Sequence, residues 1–137
     1  MNALFDHARE SFLNGEISWT EDNIKVALID TDQYEVNLSS HQYVSSISEG
    51  GVVATSANLS SCTATNGVAD AADITFNSVP ESEGVTVGAL IIYQSTGDTS
   101  TSRMIAYIDT ADNLPVTPDG SDIEITWSNG SNRIFKL

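Results

Sequence analysis

Two histidines, one cysteine and a surplus of carboxylates are the residues with chemistry to offer in this chain. A histidine beside a carboxylate can act as a base, and several acidic oxygens on one flexible loop can hold calcium. Asp30-Thr-Asp32-Gln-Tyr-Glu35 sets three carboxylates on one turn, and Asp109, Asp112, Asp119 and Asp122 flank another. Neither run has the glycine and distal glutamate that a helix-flanked calcium loop needs at fixed offsets. Both read as solvated acidic loops. His7 falls on an amphipathic segment and His41 in a polar one without an adjacent carboxylate, so both read as surface or packing residues. Cys62, between Ser61 and Thr63, has no neighbouring cation to stabilise a thiolate and reads as structural. The nucleophile elbow, the phosphate-cradling glycine loop, the helical zinc motif and paired cysteines are all missing. The chain is therefore expected not to be an enzyme, with no catalytic residue, no metal ligand and no cofactor.

The balance of charge narrows the partners. Nineteen acidic residues against five basic ones give a net charge of -14, and Arg9, Lys25, Arg103, Arg133 and Lys136 are scattered along the sequence. Such a surface repels phosphate backbones, so no nucleic-acid partner is expected. No window approaches the roughly 20 apolar residues of a membrane helix, and no secretory leader is visible. The chain is expected to be made and kept in a cytoplasm, or to leave it by lysis. Without that route, the acceptor-like triplets at Asn37, Asn58 and Asn129 read as chance matches in a serine-rich chain.

The elements that must position these residues follow from periodicity. Leu4, Phe5, Ala8, Phe12 and Leu13 form an apolar stripe at helical spacing, which predicts an amphipathic helix over residues 3–14 ended by Gly15. Ile24-Lys-Val-Ala-Leu-Ile-Asp30 reads as a core strand. A helical turn is expected over residues 41–47, with Tyr43, Val44 and Ile47 on one side. Weak strands are expected at 52–54 and 59–65, the latter ended by the turn Asn66-Gly67, and a half-buried one at 73–77. The most hydrophobic run, residues 85–93, predicts a central strand paired antiparallel with 103–109. Residues 122–127 alternate cleanly, and Asn129-Gly130 predicts a hairpin into 132–137. Trp19, Trp127, Tyr93, Tyr107 and Phe135 read as core or interface anchors. The fold expected is mainly β: one domain over residues 1–137, a small antiparallel β-sandwich or partly open barrel with one short N-terminal α-helix.

The order of these elements resembles a group of small tailed-bacteriophage virion proteins. Leu4-Phe5, Phe12-Leu13-Asn14-Gly15-Glu16-Ile17 and the strand Asp22-Asn23-Ile24-Lys25-Val26-Ala27-Leu28-Ile29-Asp30 resemble the start of that family. His41-Gln42-Tyr43-Val44 with Ile47, Ala89-Leu-Ile-Ile-Tyr93, Ile105-Ala-Tyr-Ile-Asp109, Ile123-Glu-Ile-Thr-Trp127 and Arg133-Ile-Phe-Lys-Leu137 resemble its later segments, in order. Residues 52–58 depart from the family pattern. The resemblance implies a non-enzymatic capsid decoration or cement protein in the virion, bound to the major capsid protein or other virion proteins. It also implies a homo-oligomer, with a trimer favoured. A tail, neck or baseplate position is the alternative. Leu4, Phe5, Ala8 and Phe12 are the candidate interface, with this chain's own sandwich as their competing burial partner.

Overall fold

The computed structural model describes residues 2–48, 50–111, 114–127, 130–131 and 133–137. Strand β1 (Asn2–Leu4) leads into helix α1 (Asp6–Leu13), and β2 (Ile24–Asp30) follows. A single 3-10 turn, Val44–Ser46, precedes β3 (Val52–Thr55), β4 (Thr63–Thr65), β5 (Val68–Asp70) and β6 (Ile74–Phe76). The long strands β7 (Val87–Gln94) and β8 (Arg103–Ile108) come next, then the short β9 (Ile123–Ile125) and β10 (Phe135–Lys136). The protein is mainly β, with antiparallel sheets and one short helix near its N-terminus, as expected for a small β-sandwich.

The principal sheet has the order β1-β8-β7-β2-β3. Its middle strands carry apolar residues on both faces, with polar side chains only at or near their ends, because both faces are covered. Val26 to Ile29, Ala89 to Ile92, and Met104 and Ile105 are all fully buried. Two smaller sheets, β10-β5-β4 and β6-β9, contribute Ala69, Phe76, Ile123 and Ile125 to the same core. β7 and β8 pair as expected, with a register shift between Ile92 and Tyr93 that leaves Ile105 unmatched. The carbonyl of Ile105 accepts the backbone N–H of Phe5 at 3.0 Å instead.

The helix begins later than its apolar spacing predicts. Ala3 and Leu4 lie in β1, paired with Tyr107 and Ala106, and Phe5 is the extended cap residue. The open edge of β8 offers these residues a ladder, which competes successfully with one extra helical turn. Leu4, Phe5 and Ala8 are buried in the chain's own core, whereas Leu13 is 88% exposed and lies off the apolar face. Among the described residues β9 and β10 do not pair with each other as the expected hairpin into 132–137 would require: β9 pairs with β6, and β10 pairs with β5. Asn129 and Asn132 lie outside the described residues. Strand β5 has no counterpart in the expected elements: its buried residue is the small Ala69 between Val68 and Asp70, without the alternation of large apolar side chains that marks the equally short β6 and β9.

Gly15 ends the helix by a double backbone closure. Its N–H donates to Phe12 O at 3.2 Å, and that of Glu16 reaches Ser11 O at 2.8 Å, with Gly15 at φ +72°. A Cβ there would meet no atom within 4 Å, so the cost of adding one is purely conformational. Gly15→Ala is expected to destabilise the fold by about 1 kcal/mol, a fall of about 3 °C in Tm. Gly15→Asn should lose less, because asparagine tolerates the left-handed region. Thermal unfolding of the three proteins checks both.

Candidate functional site

The residues with chemical potential are dispersed over separate turns, loops and the helix, and several are engaged by nearby backbone or hydroxyl groups. Asp30, although buried, ends β2 by accepting the N–H of Asp32 on Oδ1 at 3.0 Å, while its carbonyl accepts from Gln33 and Tyr34. Asp32 and Glu35 stay exposed, so Asp30-Thr-Asp32-Gln-Tyr-Glu35 is a folded turn. In the second acidic region, Asp122 accepts the N–H of Ser78 at 2.7 Å and Asp109 accepts the hydroxyl of Thr110 at 3.2 Å. Asp119 accepts both the N–H and the hydroxyl of Ser121, which holds its carboxyl below the usual range. Asp98 is held low in the same way by Ser100. Among the described residues no three His, Cys, Asp or Glu side chains gather as a metal site, and Asp112 lies outside that set.

The histidines occupy different settings. His7 lies 3.7 Å from Glu10 on the helix surface. His41 is half-buried, and its Nδ1 receives the Asn37 backbone N–H at 3.3 Å. A backbone N–H can only donate, so this nitrogen carries a lone pair. The Tyr34 hydroxyl, 2.6 Å away, therefore donates to it as well. Burial pushes the Tyr34 phenol up to about 12, with a smaller contribution from Tyr107, which keeps the donor protonated. Cys62 is partly buried, and that burial raises its thiol, in keeping with a structural role.

A second polar group ties the loop after α1 to the principal sheet. Arg103 donates to Gln94 Oε1 at 3.0 Å and to Glu16 at 3.2 Å. Gln94 in turn donates to Asp22 at 2.6 Å and to the Glu16 carbonyl at 2.9 Å. Trp19 and Trp127 are buried, and their indole N–H groups reach the carbonyls of Asp70 and Ala72. Trp19 also meets Phe135 edge-on at 5.2 Å, and Phe12 lies 6.2 Å from the same ring. Of the four candidate interface residues, Leu4, Phe5 and Ala8 thus serve the internal core, and Phe12 packs in part on β10.

One concave surface was not legible in the sequence. A groove of about 400 Å³ runs between β1 and β10, with Ala106 and Ile108 of β8 among its lining. Three of the chain's five cations, Arg9, Arg133 and Lys136, line it, and no carboxylate does so among the described residues. Residue spacing gave no signal, because the two walls come from opposite ends of the sequence.

A comparison with models of known protein families gives no match, and neither does one with the curated proteins.

The Tyr34 environment yields a pH prediction. With the phenol raised in the folded state, its contribution to stability is fully present below pH about 10 and is lost as pH rises through about 12. Ultraviolet titration of phenolate should show a late step near 12 that disappears in Tyr34→Phe. Tyr93 and Tyr107, both raised chiefly by burial, should also ionise above the ordinary tyrosine value.

Proposed function

We propose that this protein is a structural component of a tailed-bacteriophage virion, acting as a decoration or cement protein on the head shell. The observation that carries the reading is the serial order of motifs shared with that family, from Leu4-Phe5 to Arg133-Ile-Phe-Lys-Leu137. The motif strands Ile24–Asp30, Val87–Gln94 and Arg103–Ile108 are neighbours in one sheet, so the resemblance lies in residues that a shared fold would need. The acidic surplus adds support: a protein displayed in many copies benefits from a surface that resists self-aggregation. Each copy would contribute a modest buried area, at about 25 cal/mol per Å². Repetition across a lattice multiplies that contribution. Its partners on this reading are the major capsid protein and further copies of itself, as a trimer.

The decisive measurement is the number of copies per purified particle, together with the heat resistance of particles with and without the chain. Hundreds of copies, and earlier rupture when the chain is missing, are expected. A handful of copies would move the protein to the tail, neck or baseplate. Complete absence from particles, or equal heat resistance, would overturn the cement role.

A further inference from the structure

We propose that the groove between β1 and β10 takes up an extended acidic segment of another protein, added as a strand to a free sheet edge. The inference does not rest on the virion reading, since it uses only the backbone and charge of this one surface. β1 is the terminal strand of the principal sheet, and β10 the terminal strand of a smaller one. An antiparallel ladder turns alternate residues toward its partner. Phe5 N–H is bonded to Ile105, so the neighbouring Leu4 directs its N–H and C=O away from β8. Leu137 N–H is bonded to Gly67, so Lys136 directs its backbone groups away from β5. Two edges with open hydrogen-bonding capacity thus border a single groove.

The lining selects the chemistry of the occupant. Leu4, Ala106, Ile108 and Ile134, each nearly buried, leave a narrow apolar strip at the base of a mainly polar groove, and Arg9, Lys136 and Arg133, the last already engaged by a partner of its own, bring positive charge to it. Arg9 and Lys136 are exposed; Arg9 also meets Asp6 at 3.2 Å, a surface pair of small energetic weight. A strand whose side chains alternate apolar and acidic would set one face on that strip, pair its carboxylates with Arg9 and Lys136, and add its backbone to the open edges. The rest of the molecule carries a large negative excess. That excess discourages acidic ligands everywhere except where positive charge is concentrated.

The test uses the purified full chain and short capped fluorescent peptides: alternating Glu and Val, alternating Lys and Val, and alternating Glu and Pro. The Glu-Val peptide should bind saturably, weaken in high salt, and shift the amide resonances of Asn2, Leu4 and Lys136. The other two should bind at least about tenfold more weakly, one lacking the charge and the other the backbone N–H groups. Lys136→Glu should reduce Glu-Val affinity about tenfold. Lys136→Pro should reduce it further by also removing the outward N–H, and unchanged thermal midpoints would show that both variants fold. Equal binding of the Glu-Pro peptide, resonance shifts confined to other surfaces, or no binding would overturn the proposal. Sedimentation showing self-association abolished by Lys136→Glu would seat a second copy in the groove and would likewise overturn it.

Discussion

Strand β7 has a ladder on either side and covered faces above and below, so Ala89, Leu90, Ile91 and Ile92 are without contact with water. A segment in that position must satisfy every backbone N–H and C=O through its neighbours, and it can carry no polar side chain without a partner. β2 and β8 meet the first demand with almost full-length antiparallel registers. The second demand confines polarity to the strand ends. Asp30 closes β2, while Gln94 and Arg103 stand opposite each other where β7 and β8 adjoin their connecting loop. Gln94 and Arg103 are anchored in turn by Glu16 and Asp22, and Asp22 also accepts the N–H of Ser18, so the loop after α1 takes its position from that end of the sheet.

That same constraint explains which parts were legible in the sequence. Residues 24–30, 85–93 and 103–109 read as strands because burial on two faces leaves consecutive apolar residues in the middle of each. Short elements are legible only where large apolar residues alternate, as in β6 and β9; β5, whose one enclosed residue is Ala69, offers no such pattern. Leu4 and Phe5 were misread as helical because their spacing to Ala8 and Phe12 fits a helix, while the competing ladder lies more than a hundred residues away. Asn129-Gly130 suggested a local hairpin for a similar reason: turn chemistry is local, whereas the partner of β10 is β5. The acidic clusters were legible as residues but not as structure, since their separate serine, threonine and backbone partners are set by the loop conformations.

Charge is sorted more sharply in space than in sequence. Arg103 is consumed internally by Gln94 and Glu16. Three of the remaining four cations meet across one groove, although Arg9 and Lys136 are far apart in the chain. The apolar residues of α1 are sorted in the same manner. Phe5 and Ala8 belong to the core and Phe12 reaches Phe135, leaving Leu13 as the helix's exposed large apolar side chain.

The pairing of Asn2 with Ile108 has a consequence for how the chain comes to exist. During synthesis β1 and the buried end of α1 emerge about a hundred residues before their strand partner β8. Contacts this distant are reached late and slow the search for the native state. Until β8 emerges, Phe5 and the strand edge beside it lack the cover they have in the finished fold, a condition that favours misassociation of nascent chains. Asp6 and Glu10 flank Arg9 in that segment, and the chain as a whole carries a net charge of -14, which opposes association between like-charged copies. Charge repulsion needs no folded structure, so the negative surplus opposes self-association of the unfolded chain as much as of the folded one.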